Sequence, residues 1–137
     1  MNHNPIIIID DDEDDLELIQ QAFEELQFDN EIIIFRDGRL FLEYIKNAGK
    51  ILFILCDINM HPINGLELKR IVNEDEVLRL RCVPFIFLST SAATASVFKA
   101  YSTGVQGYFI KPPSFQAMKD MIMKMVNYWS DSHHPNI

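Results

Sequence analysis

Five short apolar runs, each followed by a stretch with helical spacing, constrain this chain more than any other feature. The runs are Ile6–Ile9, Ile32–Phe35, Ile51–Cys56, Phe85–Leu88 and Gly107–Ile110. Such runs, unbroken by polar residues and bounded by Gly, Pro or acids, read as strands buried on both faces. Between them, apolar residues recur three and four apart. The first set is Leu16, Ile19, Phe23 and Leu26, and the second is Leu40, Phe41, Tyr44 and Ile45. Leu66, Leu68, Ile71 and Val72 mark a short third helix; Ala93–Thr103 marks a fourth, stopped by Gly104. Met118, Met121, Ile122, Met125, Val126 and Trp129 mark a long fifth, whose methionines read as core filler. Asn73–Arg81 is the least regular stretch and reads as a frayed helix end plus a loop. Strand and helix thus alternate five times, with connections short enough for right-handed crossovers. The expected fold is α/β, a doubly wound sheet of five parallel strands.

The 137 residues are expected to form one domain, spanning 1–137, with an ordered core over about 5–130 and a loose polar tail at 131–137. The net charge of −8 argues against direct binding to nucleic acid, and no segment approaches the length of a membrane span. Cys56 and Cys82 form no metal or redox spacing and read as reduced thiols in a cytoplasmic protein. The charge is uneven, with six consecutive acids from Asp10 to Asp15. Acids there also suit the positive end of the helix that follows.

In a parallel sheet the C-terminal strand ends all face one way, where open α/β sheets place ligands. The first strand ends in Asp10 and Asp11, the third in Asp57, the fourth in Ser89 and the fifth in Lys111. Three carboxylates in one pocket repel unless a cation or protons neutralise them, and a hard divalent ion such as Mg²⁺ suits oxygen ligands. A carboxylate can also act as a nucleophile and form an aspartyl phosphate. A metal, a lysine and a hydroxyl then neutralise and position the transferred group. Each residue also has a plainer reading. Asp57 could start a turn, the early acids could cap a helix, Ser89 could be a strand-end hydroxyl and Lys111 a surface charge.

The segments IIIIDD at 6–11, CDINM at 56–60 with Gly65 downstream, FLSTSA at 87–92 and GYFIKPP at 107–113 resemble the receiver domain of two-component response regulators. The resemblance runs from Ile6 to about Trp129. It implies a flavodoxin-like sheet in the order 2-1-3-4-5, with Asp57 accepting a phosphoryl group from a histidine kinase or phosphotransfer protein. It also implies that Asp11 binds Mg²⁺ (or Mn²⁺) directly and Asp10 through water, with Asp57 and the Asn59 backbone carbonyl completing the protein's share. Ser89 would hydrogen-bond the phosphoryl group and Lys111 would pair with it, aimed by a cis Lys111–Pro112 peptide. Tyr108 would change rotamer as Ser89 shifts. The chain departs from the family's usual order at His61–Pro62, where proline commonly precedes, and at Thr90, where alanine is frequent. Asn59 and Ser91 stand where the family tunes phosphoryl lifetime. The long 73–83 connection and Ser89-Thr90-Ser91 resemble single-domain receivers paired with phytochrome-type and hybrid kinases.

The chain is expected to be a stand-alone receiver, catalysing its own phosphoryl transfer and slow autodephosphorylation rather than turning over a substrate. It would signal through a protein target or a homodimer formed by the fourth helix, fifth strand and fifth helix. Phe98, Tyr101 and Tyr108 suit that face, unless they complete the core. Three other classes compete. A haloacid-dehalogenase-like Mg²⁺ phosphohydrolase would place an acid where Asn59 stands. An FMN-binding electron carrier would need a Ser/Thr/Gly phosphate loop in place of the acids. A non-phosphorylated pseudo-receiver scaffold would not need Asp10, Asp11, Asp57, Ser89 and Lys111 together.

Overall fold

The computed structural model describes residues 2–135. Its strands are β1 (Ile6–Ile9), β2 (Ile32–Phe35), β3 (Phe53–Asp57), β4 (Phe85–Ser89) and β5 (Gly107–Ile110). The helices are α1 (Glu13–Leu26), α2 (Gly38–Ile45), α3 (Gly65–Asn73), α4 (Glu76–Arg81), α5 (Thr94–Tyr101) and α6 (Phe115–Asp131). All neighbouring strands pair in parallel, in the order β2-β1-β3-β4-β5. This is the α/β flavodoxin-like fold.

Alternation along the strands explains why they carry almost no polar residues. Ile6, Ile8, Phe53, Leu55, Ile86 and Leu88 point to one face, where α1 and α6 cover them. Ile7, Ile9, Ile54, Cys56, Phe85 and Phe87 point to the other, against α2, α3 and α4. Successive side chains leave a strand on opposite sides, so a sheet with helices on both faces needs apolar residues at every position. The third run enters its strand later than the sequence suggests. Ile51 and Leu52 are buried but precede β3, and the Leu52 N–H donates to Pro5 O at 2.8 Å.

Asn73–Arg81 contains a sixth helix rather than a loop. The Asp75 carboxylate accepts from the N–H groups of Val77 and Leu78, capping α4, and Leu78 is buried. Arg81 donates to the carbonyls of Ile45 and Lys46 at 2.9 and 2.8 Å, at the end of α2. A helix this short buries one full turn or less, so it leaves little apolar period to read. The expected fourth helix is therefore α5, and the fifth is α6. Asp131 closes α6, and the His134 ring lies 2.8 Å from Trp129 O. Asn136 and Ile137, the end of the expected loose tail, lie outside the described residues.

Among the described residues, side-chain caps begin five of the six helices; α5 is the exception. Asp12, Asp37, Asn64, Asp75 and Ser114 each accept a backbone N–H, and Asn64 with Glu67 forms a reciprocal capping box. Ala93 precedes α5 and offers no such bond, and of that helix only Ala100 is buried.

Candidate functional site

The expected strand-end residues meet at one edge of the sheet. Register places Ile9 beside Cys56 and Asp57 beside Leu88, so the ends of β1, β3 and β4 lie side by side. Asp10 and Asp57 are only 1% and 5% exposed. Oxygens from Asp10, Asp11 and Asp57 lie within 4.8 Å of one another, with Asp11 nearer to solvent.

Burial governs the electrostatics. It pushes the Asp10 carboxyl up to about 7, helped by repulsion from Asp57 and Asp15 and opposed by the Asp12 N–H and Lys111. The Asp12 N–H reaches Asp10 Oδ1 at 2.9 Å. Burial likewise raises Asp57, against the pull of Lys111 and the N–H of Asn59. Two desolvated carboxyls that resist ionisation beside a third are a donor set short of positive charge. Oxygen-only ligands of this kind fit a hard divalent cation.

Lys111 enters from the end of β5. Its N–H donates to Ser89 O at 2.8 Å, continuing the ladder beyond the paired Ser89 and Ile110. Its Nζ lies 3.5 Å from Asp57 Oδ2 and 3.9 Å from Asp10 Oδ2, and it bonds Asp15 Oδ2 more closely than either. Burial works against the ammonium, but Asp15, Asp10 and Asp57 outweigh it and raise its pKa. The Lys111–Pro112 peptide is not cis. The cis peptides among the described residues are His61–Pro62 and Val83–Pro84. An X–Pro bond is nearly balanced between isomers, so a sequence match is a poor guide to which one a loop adopts. Three carboxylates and a ladder bond aim this lysine.

Ser89 is buried, and its Oγ accepts the Ser91 N–H at 3.2 Å. Tyr108 is half-buried, and its hydroxyl donates to Ser91 O at 2.6 Å, which ties β5 to the loop after Ser89. Asn59 and His61 are exposed. The His61 ring takes no part in the pocket's bonds, but its N–H donates to Asp11 Oδ2 at 3.1 Å. The unusual loop thus orients a carboxylate through its backbone. Asp15 is the residue the sequence reading missed. No spacing in the sequence singles it out, because Asp11 and the cap Asp12 precede the first helical turn of α1 and the i, i+4 rule does not join Asp15 to the pocket.

The sequence profile of the family described as "Response regulator receiver domain" matches residues 6–123. The chain belongs to this family. Receiver relatives include the probable methanogenesis regulatory protein FilR2 of Methanothrix harundinacea, 33% identical over 90% of this chain and 82% of that protein. The chemotaxis protein CheY of Pseudomonas aeruginosa is 31% identical over 88% of this chain and 94% of its own. Among solved receivers, the phosphorylated cyanobacterial phytochrome response regulator RcpA superposes with a TM-score of 0.85 at 25% identity, covering 98% of this chain and 99% of that one. As a receiver, the chain is a two-component signalling domain, of a family that generally does not turn over substrates. No helix among its described residues is long and apolar enough to cross a membrane.

Proposed function

We propose that this receiver accepts one phosphoryl group on Asp57, from a histidine kinase or phosphotransfer protein, in a Mg²⁺-dependent reaction in the cytoplasm. The observation that carries the reading is the meeting of Asp57 with Asp10, Asp11 and Lys111 at one buried edge. Asp10, Asp11 and Asp57 would hold the cation, with the Asn59 carbonyl, and Mn²⁺ would serve in its place. Bound there, it would neutralise phosphoryl oxygens. A carboxylate oxygen of Asp57 attacks phosphorus, the bond from phosphorus to the donor's histidine nitrogen breaks, and the donor leaves with that electron pair. Lys111 follows the charge onto the new phosphoryl oxygens, and the Ser89 hydroxyl donates to one of them. Slow attack by water on phosphorus breaks its bond to the Asp57 oxygen, releasing inorganic phosphate and returning Asp57 to its carboxylate.

The signal would leave through α5, β5 and α6, to a protein target or a second copy. α5 lacks a side-chain cap and buries little, so its N-terminal end can move at low cost. Its C-terminal end is pinned, because Asn73 Nδ2 donates to Thr103 O at 2.9 Å. Ser91 links this helix's entry to Tyr108, so a shift of Ser89 would reach the aromatic. Phe98 is 73% exposed and Tyr101 48%, so neither ring completes the core. With Tyr108, Phe109, Tyr128 and Trp129, Tyr101 lines a groove of about 680 Å³ beside β5.

The test is incubation with acetyl phosphate and Mg²⁺, followed by intact mass and mapping of the acyl phosphate. A gain of one phosphoryl group at Asp57 is expected. No label with Mg²⁺ and any of several histidine-kinase donors would instead make the chain a scaffold.

Metal binding should depend on pH. Asp10 keeps its proton up to about pH 7, and the cation needs it ionised. Loading therefore releases a proton below that pH and none well above it. The Mg²⁺ dissociation constant should fall by at least about tenfold per unit between roughly pH 5 and 7, then level off. Calorimetry in buffers of different ionisation enthalpy should show at least about one proton released at the acid end, from Asp10 with any share Asp57 still holds. A flat profile would mean that Asp10 is already ionised before the metal arrives.

A further inference from the structure

We infer that Asp15 is a positioning residue that holds the Lys111 ammonium in the resting chain and competes with the phosphoryl group for it. The inference rests on the reading of Asp57 as phosphoryl acceptor. The six acids at 10–15 divide by task. Asp10 and Asp11 join Asp57 in the cation pocket, Asp12 caps α1, and Glu13 pairs with Arg36. Asp14 is exposed. Asp15 alone of the α1 residues turns to Lys111, and it stands outside the three-carboxylate pocket.

The division matters once a cation is bound. Asp10 and Asp57 then give much of their charge to the metal and attract Lys111 less. Asp15 keeps its full charge for the lysine. Both side chains are partly shielded, at 18% exposure for Lys111 and 28% for Asp15, so solvent screens the pair incompletely. Their backbones are fixed. The Asp15 N–H donates to the Asp12 carboxylate at 3.1 Å, and the Lys111 N–H donates to Ser89 O. Only the lysine side chain has to move when a phosphoryl group arrives at Asp57. It must then leave or share Asp15, and that cost is charged against the phosphorylated state alone. Asp15 therefore biases the receiver towards rest.

Trifluoroberyllate with saturating Mg²⁺, a phosphoryl stand-in that binds reversibly, measures this bias by fluorine NMR. Asp15→Asn keeps the shape and removes the charge; Asp14→Asn removes the same charge from the same turn without touching Lys111. Asp15→Asn should bind about fivefold more tightly than Asp14→Asn. Asp15→Glu should return towards the wild-type value. A merely structural lesion would weaken binding, not tighten it. In metal-free buffer, a double-mutant cycle with Lys111→Met should show a coupling between Asp15 and Lys111 of about 2 °C in unfolding midpoint. Wild-type binding with Asp15→Asn no tighter than Asp14→Asn, or a cycle without coupling, overturns the inference while leaving the acceptor reading intact. Failure of the wild-type chain itself to bind overturns the acceptor reading, and this inference falls with it.

Discussion

Asp57→Asn is expected to abolish Mg²⁺-dependent phosphoryl uptake and, in the same protein, to raise the thermal stability of the metal-free chain at alkaline pH. The first effect is chemical. An amide oxygen is a poor nucleophile towards phosphorus, and no other carboxylate in the pocket is both buried on β3 and faced by Lys111. The second effect follows from the cost of keeping Asp57 charged. Burial raises its pKa, so the folded state disfavours the ionised form that prevails at high pH. For a carboxyl shifted in this direction, stability is fullest below the unfolded pKa and is lost as pH rises through the folded one. Asparagine has no such loss. The gain in unfolding midpoint should therefore be present at pH 8 and shrink towards pH 4, near the carboxyl's ordinary value of 3.8. Lys111 does not lose its partners in the variant, since Asp15 and Asp10 remain. Thermal scans at both pH values in chelator, with intact mass after acetyl phosphate, check both halves. A midpoint that falls at pH 8 would show that the pairing of Asp57 with Lys111 outweighs the burial cost.

The legible part of this fold was whatever rests on period. Ile6–Ile9, Ile32–Phe35 and Gly107–Ile110 begin and end where their apolar runs do; the central Ile6–Ile9 is buried by helices on both faces, whereas Phe109 and Ile110 of the edge strand stay exposed. The strand ends were legible for the same reason. Once five parallel strands are placed, Asp10, Asp57, Ser89 and Lys111 have to lie along one edge. What stayed hidden depends on few residues or on isomers of similar energy. α4 needs only the Asp75 cap and one buried Leu78, and a loop could carry the same letters. The Lys111–Pro112 isomer follows from likeness alone, whereas the lysine is aimed by carboxylates from α1, from the end of β3 and from the loop after β1. Asp15 was hidden among five other acids, since only the rotation of α1 decides which of them faces the sheet. Glu13, two residues earlier, reaches Arg36 at the end of β2 instead.

Gly65→Ala should be among the most damaging single-methyl additions in the chain. Gly65 opens α3, and its N–H donates to Ile58 O at 2.8 Å, which draws the helix onto the loop after Asp57. A Cβ built there would stand 2.5 Å from Asp57 O, 2.9 Å from Ile58 Cα and 3.0 Å from Phe87 Cε1. The two nearest are backbone atoms and cannot rotate away. Either the helix backs off from the sheet or the end of β3 is displaced, and overpacking of this kind costs about 1–3 kcal/mol or more. Gly49 is the matched control, for a Cβ there meets nothing within 4 Å. Gly49→Ala should change stability by no more than about 0.5 kcal/mol. Urea unfolding of the two variants separates steric conflict from the general effect of replacing glycine. Because the displaced atoms carry Asp57, Gly65→Ala should also weaken Mg²⁺ binding in the fraction that still folds, while Gly49→Ala leaves it unchanged. A folded Gly65→Ala protein with wild-type stability and metal affinity would mean that α3 can shift without moving the acceptor, and the close approach of helix to strand would then not be what holds Asp57 in place.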